Sequence, residues 1–390
     1  MKILHTVEFY EPFKGGAQEV VKQLSERMVA MGHDVTVATT KLKERKSKTI
    51  NGVKIEEYDI SGNEVRGYAG DTESYKKFLL KNEFDIVMNY AAQQWATDIF
   101  FEVIDEVKAG KVFVPCGFSG LYDPAYKQYF KKMPNELKKY DATVYLAEKY
   151  RDIDFAKKYK IKNLNIIPNG AGADEFDTPL NSNIRKKYGI KDESFLVTTI
   201  GSHTGVKGHS ETIKIFKKSK IKNSTLLIIG NLLDEGCGPG CSNKAAKFNK
   251  SIISKLKKQK IIVKDIVRKD TVQLLKSSDL FLFPSNIEAS PIVLFEACAA
   301  KTPFLVTDVG NSKEIIKWTN GGKLLPTHKD EEGFSHSKIN ESVAELQKIY
   351  NNPKLREQMA TQGYKAWKSK YSWEKITEQY LKLYNKVLKK

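Results

Sequence analysis

The chain has 390 residues, 41% of them hydrophobic and 11% aromatic, which is enough apolar material for two domains with their own cores. No run approaches the roughly 18 apolar residues of a membrane span, and the stretch from Met1 to Glu8 meets charge too soon for a signal peptide. The net charge of +18 is mostly lysine, with little arginine clustering and no recognition motif, so nucleic acid is not expected as a partner.

A cytoplasmic protein is expected, with Cys116, Cys237, Cys241 and Cys298 as reduced thiols. The lysine excess suits a solvated surface, an acidic substrate, or peripheral contact with an anionic membrane at its inner face.

Residues 2–7 read as a strand, 17–31 as a helix with Val20, Val21, Leu24 and Met28 at helical spacing, and 35–39 as a second strand. Gly15-Gly16 opens that helix and leaves its N-terminus accessible to an anion. The turn is not a GxGxxG fingerprint, which argues against nicotinamide or flavin chemistry. Strands at 53–58, 86–89, 111–114, 142–146 and 165–167 alternate with helical patterns at 74–81, 93–108, 124–139 and 148–159. Such alternation implies a parallel, doubly wound sheet, whose ligands sit beyond the carboxyl ends of the strands.

Residues 167–170 form a seam, and the polar segment 174–182 reads as a linker. A second alternation follows. Strand 195–200 leads into the Gly-rich loop 201–208 with its single Lys207, then helix 209–218, strand 225–229, helix 243–258, strand 261–263 and helix 271–278. Strand 280–283 is stopped by Pro284. After it, Ser290 is a good N-cap and Pro291 suits a first helical position. The amides of Ile292 and Val293 then offer an anion site, framed by Glu288 and Glu296 with seven residues between them. Strand 304–307, turn Gly310-Asn311, helix 312–318 and strand 322–325 complete this half. A helix from Pro353 runs toward Tyr371, and Ser372 caps a last one with Ile376, Tyr380, Leu383, Tyr384 and Val387 on one face. The expected division is 1–170, 171–370, and a helix over 371–390 returning to the first domain.

Three local features stand apart. Tyr126, Tyr129, Phe130, Met133, Leu137 and Tyr140 form an apolar stripe beside Lys127, Lys131, Lys132, Lys138 and Lys139. It reads either as an interfacial helix or as a core helix with a solvated face. Cys237-Gly-Pro-Gly-Cys241 lacks a neighbouring second ligand pair and reads as a surface loop rather than a metal clip. Asp152-x-Asp154 lies in a helical pattern, not after a strand, and is discounted as a metal motif.

The order of Pro12-x-x-Gly15-Gly16, Gly32-His33, Ile167-Pro-Asn-Gly170, Gly201…Lys207-Gly208, Glu288-x7-Glu296, Thr307-Asp-Val-Gly310…Glu314 and Ser372-Trp373 resembles the family 4 (group 1) retaining glycosyltransferases of GT-B fold. The resemblance spans nearly the whole chain. It implies an α/β architecture of two Rossmann-like domains facing across a cleft, an N-terminal acceptor domain and a C-terminal nucleotide-sugar domain, and a hexose-type sugar moved from a nucleoside diphosphate, UDP before GDP, to a glycan or lipid-linked acceptor. It also implies roles: Glu288 on donor-sugar hydroxyls, Glu296 on the ribose, Lys207 on the diphosphate, with Gly15, Gly16, Ser202, His203, Ser290, Pro291, Ile292 and Val293 around the donor. No metal or cofactor is expected. Glu288 and Lys207 are the residues expected to carry the chemistry.

Two places depart from the family pattern. Ser202 stands where the family usually has an arginine, and a hydroxyl cannot replace a bidentate guanidinium, so either His203 or another cation substitutes or the phosphate is held mainly by Lys207 and backbone amides. No histidine follows the strand at 111–114; Cys116, Gly117, Phe118 and Ser119, with Tyr126 beyond, occupy the expected acceptor region. Other readings of the same residues are a catalytically silent sugar- or nucleotide-binding protein of this fold, and a phosphorylase or epimerase.

Overall fold

The apolar strand Lys2–Thr6 lies inside an eight-stranded sheet, flanked by Asp34–Thr40 and Ile86–Tyr90, both parallel to it. The computed structural model describes residues 1–13, 15–232 and 236–389. From one edge the strands run Leu164–Ile166, Ala142–Tyr145, Gly110–Val114, Ile86–Tyr90, Lys2–Thr6, Asp34–Thr40, Val53–Tyr58 and Thr49–Ile50. All neighbours are parallel except the last pair. Ile86–Tyr90 is buried throughout, as a central strand covered on both faces must be.

This sheet belongs to a unit made of Met1–Asn169 and Trp373–Lys390. The final helix, Trp373–Leu388, completes it by laying Ile376, Tyr380, Leu383, Tyr384 and Val387 against the helix Gly16–Ala30 and the strand Gly110–Val114. A Cβ on Gly110 would stand 2.5 Å from Val387 Cγ1, so the glycine admits the helix. Arg27 Nη2 lies 2.9 Å from Glu374 Oε1. Lys390, the end of the expected returning helix, lies outside the described residues.

The second unit, Gly170–Ser372, holds a six-stranded, wholly parallel sheet. Its order is Gln259–Lys264, Ser224–Ile229, Phe195–Ile200, Leu280–Phe283, Phe304–Val306 and Gly322–Leu324. Numbered by appearance this is 3-2-1-4-5-6, the doubly wound order with its reversal between Phe195–Ile200 and Leu280–Phe283. The entry and exit of this unit are tied together: Ala171 N–H donates to Tyr371 O at 3.1 Å, and Trp367 Nε1 donates to Ala171 O at 2.9 Å.

Several expectations are corrected. The linker at 174–182 begins as a helical turn, Ala173–Phe176, because Phe176 is buried in the core. The helix at 243–258 is two helices, Gly238–Asn249 and Ile252–Lys257. The break comes where Ser251 turns extended and its hydroxyl accepts the Ser254 N–H, restarting the helix. Cys237–Cys241 is therefore no surface loop: Cys237 is the N-cap of the first of these helices and Cys241 is buried inside it. A helix over Ile339–Tyr350, absent from the sequence reading, packs on His209–Ser219. The apolar stripe on Lys127–Lys138 faces the core, with Tyr126, Tyr129, Phe130, Met133, Leu137 and Tyr140 all buried, which leaves no apolar face for a membrane interface. Among the described residues no helix is long and apolar enough to cross a membrane.

Candidate functional site

The switch point of the second sheet places two loops together, as the doubly wound order requires. Gly208 has φ +67°, and a Cβ there would lie 1.8 Å from Pro284 O, so only glycine lets the loop after Phe195–Ile200 pass so close to the loop after Leu280–Phe283. Asn286 N–H donates to Val206 O at 2.9 Å and joins the two backbones. Across this junction Lys207 Nζ meets Glu288 Oε1 at 2.7 Å, and Ser285 Oγ donates to the same oxygen at 2.9 Å. The pair is reachable: the Lys207 side chain is 25% exposed and that of Glu288 13%. From behind, Gly310, at φ +53°, packs against Ala289 O, which accepts the Asn311 N–H at 3.0 Å.

The helix Ile292–Ala299 begins one residue later than the sequence implies. Pro291 is itself the N-cap, with ψ 111°, and buried Ser290 precedes it. Ile292 and Val293 occupy the first turn, where amides have no acceptor within the helix. Glu296, 4% exposed, is held by Arg268, whose Nη2 lies 2.6 Å from Glu296 Oε1. Arg268 also grips Glu175 in a two-pronged pair at 2.7 Å for each contact. The sequence reading missed Arg268. Its signal was a cation at the first position of the helix Arg268–Lys276, just beyond a parallel strand, at the end where ligands bind.

Arg268→Ala is expected to lower the stability of this unit by about 2–3 kcal/mol, since it strips a charged hydrogen-bond donor from two carboxylates at once. A urea titration followed by tryptophan fluorescence measures it. Arg268→Lys should recover only part, because an ammonium cannot form the two-pronged contact.

Ser202 sits half-buried at the start of the loop. His203 does not replace the missing arginine: it turns inward, 3% exposed, toward His209 and Cys237, and burial lowers its pKa so that the ring is neutral. In the first unit, Gly15 is the N-cap of Gly16–Ala30 in extended backbone, and a Cβ on Gly16 would meet nothing within 4 Å. Packing within that unit therefore does not demand glycine at position 16.

The expected acceptor residues divide. Phe118 and Tyr126 are core residues, Phe118 edge-on to Phe130 and Tyr126 accepting from Asn63 Nδ2 at 3.2 Å, so both are corrected as contact residues. Ser119 is exposed and Cys116 half-buried. Cys116, Gly117 and Phe118 all take left-handed backbone, with φ of 58°, 99° and 49°. Asp152 holds this unusual turn by accepting the Gly117 N–H at 2.8 Å, and burial raises its pKa to about 6. Desolvation, with the nearby Asp152 carboxylate, pushes the Cys116 thiol up to about 12, which disfavours the thiolate.

Comparison with known proteins follows the same lines. Residues 181–366 match the family model described as glycosyl transferases group 1. Over the full length the chain is 25% identical to an uncharacterized glycosyltransferase of Methanocaldococcus jannaschii, covering 98% of each. It is 27% identical to lipopolysaccharide glucosyltransferase WaaG of Escherichia coli, over 85% of this chain and 86% of that one. Anabaena HepE, solved in complex with UDP-glucose, superposes with a TM-score of 0.72 over 99% of this chain and 100% of that one; at 12% identity the likeness speaks for the fold. The family match lies within the second unit, and the two doubly wound sheets together with the likeness to solved structures such as HepE give the chain a GT-B fold.

Proposed function

We propose that the chain is a retaining hexosyltransferase that takes a sugar from a nucleoside diphosphate, UDP before GDP, and joins it to a hydroxyl of a glycan or lipid-linked precursor, with no metal ion in the chemical step. The observation that carries this reading is the meeting of Lys207 and Glu288 at the switch point, with the open first turn of Ile292–Ala299 next along the chain. The names of the relatives, a lipopolysaccharide glucosyltransferase and a protein crystallised with UDP-glucose, are consistent with it.

As the bond between the anomeric carbon and the phosphate oxygen breaks, negative charge gathers on the leaving diphosphate. Lys207, drawn off Glu288, and the amides of Ile292 and Val293 stabilise that charge. Glu288, released from Lys207, accepts hydrogen bonds from donor-sugar hydroxyls near the reacting carbon. Glu296, oriented by Arg268, accepts from the ribose hydroxyls. The acceptor hydroxyl attacks on the face the diphosphate leaves, and its proton passes to the departing phosphate oxygen, so configuration is retained. Glu288 is not asked to attack, because the two-carboxylate scheme needs a partner beside the same carbon and Glu296 is engaged with Arg268.

Ser119 and the turn held by Asp152 would meet the acceptor. Exposed Lys127, Lys131, Lys132 and Lys138 would draw the protein, in the cytoplasm, to an anionic membrane that carries it, at about 1 kcal/mol per lysine near the surface.

Calorimetry with UDP, GDP and ADP tests the reading: UDP binds most tightly, and failure of all three to bind overturns it. In the same titration Lys207→Met weakens UDP by about 10- to 100-fold, the worth of one charge-assisted hydrogen bond to phosphate.

A further inference from the structure

We propose that His203, His209, Cys237 and Cys241 form a structural zinc site that clamps the loop carrying Lys207. One ligand atom from each of the four side chains lies within 4.8 Å of all the others. His203 Nδ1 is 3.1 Å from His209 Nδ1 and 3.3 Å from Cys237 Sγ, and Cys237 Sγ is 3.5 Å from His209 Nδ1. Zinc at its usual bond lengths sets the edges of a tetrahedron at about 3.3 Å between two nitrogens and about 3.8 Å between two sulfurs. The three spacings among His203, His209 and Cys237 are close to such edges, and Cys241 Sγ lies within 4.8 Å of all three atoms. Two imidazoles and two thiols are also the donor set that favours tetrahedral zinc.

The cluster is built rather than fortuitous. Cys237 caps the helix Gly238–Asn249, and Cys241 lies one turn on, its N–H donating to Cys237 O at 2.9 Å, so both sulfurs share a face. Cys237 N–H donates to His203 O at 2.8 Å, which fixes the two ligand-bearing backbones side by side. Gly236, at φ +84°, permits this approach, since a Cβ there would stand 1.9 Å from His203 O. His203 is 3% exposed, His209 1% and Cys241 2%. Neither imidazole Nε2 has a hydrogen-bond partner among the described residues. Both rings turn their Nδ1 atoms toward the Cys237 sulfur.

The two histidines bracket Lys207 in the chain, one before it in the loop and the other opening the helix His209–Ser219. An ion on both would pin the two ends of the phosphate-facing loop to the Cys237 helix. Two thiolates neutralise the dication, so the site stiffens the loop without adding net positive charge. The assignment does not depend on the nucleotide-sugar reading.

The test uses the full chain purified under reducing conditions, with metal content read by mass spectrometry and a second sample reconstituted with Co²⁺. About one zinc per chain and thiolate-to-cobalt charge-transfer bands with a tetrahedral ligand-field pattern are expected. Cys237→Ser and Cys241→Ser should each lower zinc retention at least tenfold after dialysis against a chelator. Should either variant fail to fold, the cobalt spectrum of the parent protein decides. Absence of stoichiometric zinc together with absence of thiolate-to-cobalt bands overturns the proposal, as does metal content unchanged in both serine variants.

Discussion

Glu288→Ala should lower turnover about 1,000-fold while leaving UDP binding within a few-fold of the parent protein, the scale seen when one preorganised polar group is removed from a reacting centre. The asymmetry follows from what Glu288 touches. It holds Lys207 at 2.7 Å and accepts from Ser285 at 2.9 Å. Removing the carboxylate frees the ammonium for phosphate, so nucleotide affinity has no reason to fall. The loss lands on the sugar, whose hydroxyls lose their acceptor at the moment the anomeric carbon becomes electron-poor. Steady-state kinetics with a saturating donor, beside calorimetry with UDP, separates the two. Turnover that survives the substitution removes Glu288 from the mechanism; UDP binding that collapses reassigns it to the nucleotide.

Tyr384→Ala should destabilise the first unit by about 3–5 kcal/mol, the range for deleting a fully buried aromatic side chain. Its hydroxyl ends a buried chain of contacts. With the His5 imidazole neutral, as burial makes it by lowering its pKa to about 3, Ser25 donates to Nδ1 at 2.8 Å and Nε2–H donates to Tyr384 at 3.1 Å. Tyr384 in turn donates to Met88 Sδ at 3.1 Å. Alanine leaves a cavity between the last helix and the sheet and an imidazole N–H with nothing to meet. Tyr384→Phe isolates the polar part and should cost about 1–3 kcal/mol. Urea unfolding monitored by circular dichroism gives both numbers, and a loss below about 1 kcal/mol for the alanine variant would show that the helix contributes little to holding the unit.

Much of the architecture was readable because central parallel strands announce themselves. Leu280–Phe283 and Ile86–Tyr90 are apolar throughout, and each helix between strands shows its spacing. The short antiparallel ribbons, Ile60–Asn63 with Gly67–Gly70 and Thr327–Lys329 with Ser335–Ser337, were not readable, since neither pairing buries a continuous apolar face. The Ile339–Tyr350 helix was missed although Ile339, Val343, Leu346 and Ile349 follow helical spacing.

The site divides in the same way. Lys207, Glu288 and Glu296 were visible as residues in a motif order. Their partners were not, because pairing depends on which strands are neighbours. Arg268 lies 28 residues from Glu296 in the chain, and His209 lies 28 residues from Cys237. The loop after Phe195–Ile200 meets Cys237 because Ser224–Ile229 is the next strand in the sheet. Sequence spacing alone suggested a pair of cysteines without company, and it left His203 open as one candidate for the missing cation, where the fold turns that residue inward.

The first unit is discontinuous: its sheet is finished by Asn169, yet the helix that completes it is synthesised only after the whole of Gly170–Ser372. On the ribosome, Gly170–Ser372 has all its strands in hand before the groove beside His5 and Gly110 receives its cover. Until Trp373–Leu388 has emerged, that groove presents apolar surface to whatever is nearby, and a chaperone that shields it would have to release it for this helix. A stop at Trp373 would therefore spare the switch-point loops of the second unit and leave the first unable to close its core.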